Sequence, residues 1–159
     1  MSSKEFKASA SAGSAAIAIF AEKLQERGLD LVSVEGTEKD LVDGIDYELY
    51  KEGKLVAQGA HRHMSSQYEN YAALRFRRSS GVATDYQKLG AKAPNFLLSF
   101  SNGFIGPRMR IVTTTAKAVR EWIDEHRADL NSHVEYPFGK NDSAFLMIPF
   151  DELNKVRII

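Results

Sequence analysis

The chain has 159 residues, of which 43% are hydrophobic, and its formal net charge is zero. A chain of this length buries one sizeable core, so we expect a flexible segment over residues 1–13 and a single domain over residues 14–159. The absence of cysteine excludes disulfide bonds, thiolate zinc sites and a cysteine nucleophile. No segment has the pattern of a signal peptide or a membrane span, so we expect a cytoplasmic protein with no membrane partner.

The zero net charge hides an uneven distribution of charge along the chain. Residues 54–120 contain 11 Lys and Arg against 2 Asp and Glu, whereas the segments on both sides are acidic. Concentrated basic residues favour binding to polyanions, so this middle segment is a candidate nucleic-acid-binding surface. The alternative is that the basic middle pairs with the acidic flanks inside the fold.

Hydrophobic patterns predict the elements of the first half of the chain. Apolar residues at helical spacing indicate a helix over residues 14–27, and β-branched and apolar residues indicate a strand over residues 29–34. We expect a β-hairpin next, with arms over residues 45–50 and 54–60. Residues 51–53 are expected to form a three-residue loop with its glycine in the left-handed conformation.

The second half alternates between helical and strand patterns. Ser66 and Glu69 have the spacing of a capping box, which predicts a helix over residues 66–78. The remaining predicted elements are strands over residues 95–100 and 109–113, a helix to about residue 127 capped by Thr114 or Thr115, and a strand over residues 143–148. This order of helices and strands indicates the α/β class.

The predicted hairpin carries a recognisable pair of short motifs. They are Asp43-Gly44-Ile45-Asp46 on one arm and Gln58-Gly59-Ala60 on the other. Over about residues 14–113 the chain resembles the PD-(D/E)xK nuclease superfamily, in its GID…QxK variant. The resemblance implies a restriction-endonuclease-like fold, with a mixed central sheet flanked by helices. It makes Asp46 the motif aspartate, Gln58 the E/Q residue and Glu22 of the first helix the auxiliary acid, and it leaves Ala60 in the lysine position.

The resemblance also implies a reaction, the hydrolysis of DNA with Mg²⁺ or Mn²⁺. Asp46 and Gln58 would bind the metal, and a lysine would help to activate the attacking water. Residues i and i+2 of a strand share a face, so Gln58 and Ala60 are expected to face the aspartate, with Asp46 directly across the hairpin from Gln58. The alternative for Asp43 and Asp46 is a capped turn that leads into a strand, because Asp-Gly is a common turn sequence.

Ala60 departs from the motif, because a methyl group cannot carry a positive charge or orient a water. Three explanations stay open: a naturally inactive binding form, a mutation, or another cation in place of the lysine. The candidate cations are His61, Arg62 and His63, of which Arg62 is expected on the same strand face as Ala60. The two histidines could also share a metal ion, or they could be ordinary residues at the end of a strand.

A basic surface is the second functional prediction. The residues expected to contact phosphate are His61, Arg62, His63, Arg75, Arg77 and Arg78, of which the last three lie on the helix predicted over residues 66–78. A solvated helical face is the alternative for these arginines. The aromatic residues of the same segment, Tyr68, Tyr71 and Phe76, are expected either in the core or as a platform for stacked bases.

The sequence therefore predicts a nucleic-acid-binding protein of the metal-dependent endonuclease fold, with DNA as the expected partner and hydrolysis impaired by Ala60. One alternative is a non-enzymatic DNA-binding or regulatory protein that keeps only the scaffold. Another is an interaction module without a nucleic-acid partner, and a homodimer is left open.

Overall fold

A computed structural model of the chain describes residues 3–77, 84–137, 139 and 143–159, with side chains from Ala12 onward. In these residues the α-helices span Ser3–Gln25 (α1), Glu38–Asp43 (α2), Asp85–Lys88 (α3) and Ala116–Glu125 (α4). The strands span Asp30–Ser33 (β1), Tyr47–Lys51 (β2), Lys54–Met64 (β3), Tyr71–Arg77 (β4), Leu97–Asn102 (β5), Ile111–Thr115 (β6), Val134–Glu135 (β7), Ala144–Pro149 (β8) and Arg157–Ile158 (β9). No helix in this part of the chain is long and apolar enough to cross a membrane.

The strands form two sheets. The larger sheet has the order β1-β2-β3-β5-β6-β9, and the smaller has the order β4-β8-β7. In the larger sheet β3 and β5 are parallel while the other neighbours are antiparallel, so the sheet is mixed. The prediction of an α/β protein with a mixed central sheet is confirmed. The chain crosses from β3 to β5 through β4 and α3, which brings these two elements beside the centre of the sheet.

Each face of the larger sheet is covered by apolar packing. On one face α1 contributes Phe20 and Leu24, which pack with Tyr47 and Leu49 of β2. On the other face a cluster joins β5, the smaller sheet and α4, with members that include Leu98, Phe100, Leu74, Leu146 and Trp122. Thr115 begins α4 as predicted, because its hydroxyl accepts the backbone N–H of Ala118.

The β2–β3 hairpin is present, but its turn is shorter than predicted. Glu52 and Gly53 both have positive φ, 52° and 79°, as in a two-residue turn whose twist matches the strands. The left-handed glycine is confirmed, and the three-residue loop is wrong. The observed register places Glu48 opposite Gln58 and Tyr47 opposite Gly59, so Asp46 is level with Ala60. The predicted pairing of Asp46 with Gln58 is therefore wrong by two residues.

The predicted helix over residues 66–78 is also wrong. A single 3-10 turn at Ser66–Tyr68 precedes strand β4. The segment from Leu74 to Arg77 alternates apolar and basic residues, so a strand buries Leu74 and Phe76 in the core while Arg75 takes the other face. This alternation outweighs the capping signal at Ser66, whose helix would have spread the apolar residues around its axis. Phe76 therefore belongs to the core, one of the two roles expected for it.

The start of the chain differs from the prediction too. Helix α1 begins at Ser3, so it includes most of the segment that the sequence placed before the domain. Helix α2 occupies a stretch expected as a polar connection, and Gly44 ends it in the left-handed conformation with φ 69°. Asp46 follows this glycine and leads into β2, so the capped-turn interpretation describes the local backbone correctly.

Candidate functional site

A cavity of about 490 Å³ lies beside the middle of β3. Its wall is made by the hairpin, by α2 and the loop before it, by α3 with the turn that follows, and by one edge of the smaller sheet. The lining residues that carry charge are Glu35, Asp40, Asp46, Arg62, Arg75, Asp85, Lys88 and Lys92. Three phenylalanines, at positions 96, 100 and 145, add apolar surface. A cavity of this size with converging polar groups is the usual form of a small-ligand site.

Asp46 is the central acid of the cavity. Its Oδ2 accepts the backbone N–H of His61 at 2.8 Å, and its carboxyl group shares a hydrogen bond with that of Asp40. The pKa of Asp46 is raised to about 7, chiefly by burial, while the N–H of His61 opposes the shift and Asp40 adds to it. Burial also raises the pKa of Glu35, whose carboxylate accepts a hydrogen bond from Ser14 of α1. Asp46 can therefore exchange a proton near neutral pH.

Two lysines supply the cationic side of the cavity. The Nζ atoms of Lys88 and Lys92 lie 3.7 and 3.4 Å from the position that a Cβ on Gly44 would occupy. Lys92 donates to the backbone carbonyl of Asp43, and its Nζ lies 4.7 Å from the centre of the Phe96 ring. Burial lowers the pKa of Lys92, and the charge of Lys88 lowers it further.

The position of these lysines follows from capping at both ends of their segment. Thr84 begins α3 through a capping box in which its hydroxyl accepts from the N–H of Gln87. Arg120 of α4 then donates to the carbonyls of Leu89 and Lys92, at 3.2 and 2.8 Å. Sequence reasoning missed both lysines. The available signal was their spacing of four residues within the basic middle segment, which places them on one side of a helical turn.

Arg62 lies on the strand face of Ala60 as predicted, but its charge is already matched. Its guanidinium pairs with Asp85 and stacks 5.0 Å from the centre of the Phe145 ring. Burial raises the pKa of Asp85, but the charge of Arg62 and the N–H of Arg75 outweigh burial and hold the pKa below its usual value. Asp85 therefore links β3 to β4, and its carboxylate neutralises the charge of Arg62.

Gln58 and Glu22 do not take the places that the motif predicts. The Nε2 of Gln58 donates to Glu48 at 2.9 Å, and Lys39 also pairs with Glu48 at 3.1 Å, in a group beside the cavity and outside its lining. Glu22 is exposed on α1 and does not line the cavity, whereas Ser14 of the same helix does. The predicted metal pair of Asp46 and Gln58 is thus not assembled, and Asp40 is the acidic neighbour of Asp46.

His61 and His63 belong to a hydrogen-bonded chain along β3 and β5. His61 bonds to Ser99 through Nδ1 and to Ser101 through Nε2, both at 2.7 Å. His63 bonds to Ser101 through Nδ1 and to the carbonyl of Gly103 through Nε2, both at 2.8 Å. Burial lowers the pKa of His61 to about 3. All four ring nitrogens have protein partners, so this geometry argues against a metal shared by the two rings.

The predicted basic surface is divided by the strand geometry of β4. Arg75 turns toward the cavity, with its guanidinium 5.2 Å from the centre of the Phe145 ring. Arg77 is exposed, donates to the hydroxyl of Tyr136 at 2.5 Å and lies over that ring. Arg78 lies outside the described residues. The arginines therefore do not form the single helical face that the sequence predicts.

Comparisons with protein-family models, curated proteins and solved structures find no match to this chain. Among the residues with described placement, no group of three or more His, Asp or Glu side chains has the arrangement of a metal site. A functional assignment therefore depends on the cavity itself, in which a proton-exchanging carboxylate faces a pair of half-buried ammonium groups.

Proposed function

We propose that this chain is a nucleic-acid-binding protein of the metal-dependent endonuclease fold, in which phosphodiester hydrolysis is impaired. The observation that carries the proposal is the cavity, whose lining brings Asp46 together with Lys88 and Lys92. A phosphate in this cavity would meet both the ammonium groups and an acid able to exchange a proton. That combination suits binding of a phosphodiester and acid–base chemistry next to it.

The topology supports a restriction-endonuclease-like arrangement. A long helix precedes three antiparallel strands, and the next strand of the central sheet, β5, is parallel to β3. Asp46 lies just before β2, and the resemblance expects the motif aspartate at the start of this hairpin arm. The departures are the strand β4 in the crossover and the two-residue shift in hairpin register.

The acidic side of the cavity fits a hard divalent cation in part. Mg²⁺ is commonly held by one or two carboxylates together with waters and substrate phosphate, and Asp46 with Asp40 offers such a pair. A bound Mg²⁺ supplies positive charge to the phosphate and an acidic water. Asp40 and Asp46 would hold the ion through their oxygens, and both carboxyl groups would be ionised in that complex.

Impaired hydrolysis follows from the surroundings of Ala60. This residue is level with Asp46, where a cationic side chain would stand next to the reacting phosphate, and its methyl group supplies no charge. Arg62 shares the strand face but is held by Asp85. Loss of one charge-stabilising group in a transition state costs on the order of 3 kcal/mol, or about a hundredfold in rate.

The experiment is a nicking assay on supercoiled DNA in Mg²⁺ and in Mn²⁺, with DNA binding measured in parallel by fluorescence anisotropy. We expect salt-dependent binding with weak nicking by the natural sequence, and faster nicking by Ala60→Lys. The double variant Ala60→Lys with Asp46→Asn should lose that gain while it still binds DNA. Absence of DNA binding at low salt would contradict the proposal.

One observation favours a second candidate, a DNA-binding or regulatory protein without catalysis. The amide of Gln58, the second motif residue, donates a hydrogen bond to Glu48, and Lys39 forms an ion pair with the same carboxylate. If the scaffold has lost its reaction entirely, Ala60→Lys will bind DNA and remain inactive in both metals. The same assay therefore separates the two candidates.

A further inference from the structure

We infer that Lys88 and Lys92 form a phosphate-binding subsite of the cavity, and that its ligand is a single phosphate carried by a nucleotide unit. The inference rests on the proposed nucleic-acid function and names the part of the ligand that this wall of the cavity recognises. It differs from the surface predicted by the sequence, which consisted of two histidines and four arginines.

Convergence of the two side chains is the first observation. Both Nζ atoms lie within 4 Å of one point, the position of an added Cβ on Gly44, and both side chains are half-buried along the cavity wall. Gly44 has φ 69° because it ends α2, a conformation that favours glycine. The absence of a side chain there keeps the space in front of the two ammonium groups open.

The second observation is that, among the described residues, neither lysine has a carboxylate oxygen within 4 Å, although Asp43, Asp85 and Asp46 attract Lys92 from farther away. In the described part of the chain neither lysine forms an ion pair, and the nearest partners of Lys92 are a carbonyl oxygen and the Phe96 ring. Asp85 is engaged by Arg62, while Asp46 and Asp40 share a hydrogen bond with each other. Two like charges that are partly buried repel each other, and an anion between them removes that cost.

The shape and lining of the cavity indicate what carries the phosphate. A volume of about 490 Å³ has room for one nucleotide. The aromatic rings of Phe96, Phe100 and Phe145 offer apolar contact to a sugar or a base. The carboxylates of Glu35 and Asp40, which also line the cavity, disfavour a second phosphate in the same space. One phosphate with one attached nucleoside is thus the ligand that matches this lining.

The test compares Lys88→Met and Lys92→Met with Lys54→Met, an exposed lysine at the start of β3 that serves as the matched control. Methionine keeps an apolar stem of similar length, so packing is disturbed little. Titration calorimetry measures the affinity for four ligands: inorganic phosphate, thymidine 5′-monophosphate, thymidine, and a thymidine oligonucleotide without a terminal phosphate. Melting temperatures check the fold of each variant.

We expect the natural chain to bind the monophosphate more tightly than inorganic phosphate or thymidine. Each cavity variant should lose about tenfold in affinity for both phosphate ligands, the loss typical of one charged hydrogen bond, whereas Lys54→Met should not. The melting temperature of the cavity variants should be unchanged or higher, because each removes a repelled and partly buried charge. Equal monophosphate affinity in the natural chain and both cavity variants would overturn the inference.

The four ligands also separate this inference from the proposed function. Lysine-dependent binding of the monophosphate without binding of the oligonucleotide would leave the subsite standing and remove the nucleic-acid function. If the oligonucleotide binds in a salt-dependent way and neither lysine substitution changes its affinity, the function would stand and the subsite would be removed. Binding of none of the ligands would remove both.

Discussion

At the scale of single residues, the character of the cavity is set by Asp46. A short motif in the sequence identifies this residue as a candidate. In the structure Asp46 is buried beside the carboxyl group of Asp40, and its pKa is raised to about 7. Asp40 could not be predicted as its neighbour. That contact depends on a short helix, α2, in a stretch whose polar composition indicates a loop.

The raised pKa of Asp46 makes a prediction about stability. In the folded state the group holds its proton more tightly than in the unfolded chain, where the ordinary pKa is 3.8. Stability from the protonated form is therefore complete below pH 3.8 and declines as the pH rises toward 7. Asp46→Asn cannot ionise, so its free energy of unfolding relative to the natural chain should rise by about 2 kcal/mol between pH 5 and pH 8.

Urea denaturation at the two pH values measures this difference. Asp30→Asn, an exposed aspartate on β1, serves as the control and should show no such trend. A stability difference for Asp46→Asn that does not change with pH would show that the carboxyl group titrates in its ordinary range.

A second prediction at this scale concerns the proton positions of the two histidines. The carbonyl of Gly103 can only accept, so His63 carries a proton on Nε2. When His63 is neutral, its Nδ1 accepts from Ser101, Ser101 accepts from Nε2–H of His61, and Nδ1 of His61 accepts from Ser99, whose proton then leaves the carbonyl of Ala60. A second proton on His63 makes its Nδ1 a donor to Ser101, which frees the Ser101 hydroxyl to donate to Nε2 of His61. The proton of His61 then moves to Nδ1, and Ser99 accepts it while donating to the carbonyl of Ala60.

Nitrogen-15 shifts of the imidazole rings across a pH titration measure these states. We expect the Nε2–H form of His61 while His63 is neutral, and its exchange for the Nδ1–H form as His63 becomes charged. Ser101→Ala breaks the chain and should uncouple the two rings. The Nδ1–H form of His61 beside a neutral His63 would contradict the assignment.

At the scale of elements, strong periodicity was predictive and cues from single residues were not. Apolar patterns and Thr115 predict the helix α1, the hairpin, β5, β6, α4 and β8. Their ends shift by a few residues, except that α1 begins at Ser3 and not at residue 14. The capping box predicts a helix over residues 66–78, although alternation from Leu74 onward favours a strand. The register of the hairpin could not be predicted, because it depends on a two-residue turn and on a bulge between Leu49 and Tyr50.

The hairpin also makes a prediction at Gly59, the middle residue of the second motif. A Cβ at this position would lie 2.5 Å from the ring of Tyr47, which is fully buried and whose hydroxyl bonds to Ser99 at 2.9 Å. The ring cannot move away without breaking this packing. Gly59→Ala should therefore lower the free energy of unfolding by about 2 kcal/mol or more.

Gly90→Ala is the matched control, since an added Cβ there meets no atom within 4 Å and the backbone has no positive φ. Urea denaturation should show a change of less than about 1 kcal/mol for this variant. A neutral effect of Gly59→Ala would mean that Tyr47 does not stack on the strand as the structure places it.

At the scale of the whole molecule, the basic middle segment of the sequence is partly paired with acidic residues and partly placed in the cavity. Part of the basic middle pairs internally, as Arg62 does with Asp85. Another part, Lys88 and Lys92, lines a cavity together with acidic residues of the first segment. The distribution of charge along the chain therefore predicted an electrostatic site, and it did not identify which basic residues form it.

The most direct test of the proposed function is the affinity of the natural chain for DNA as a function of salt concentration. Each phosphate neutralised by the protein releases counterions and contributes about −0.9 to the slope of log affinity against log salt for duplex DNA. With a cavity lysine pair and the exposed Arg77 in contact, we predict a slope of about −2 or steeper. Binding that does not change with salt, or no binding even at low salt, would contradict a nucleic-acid-binding function.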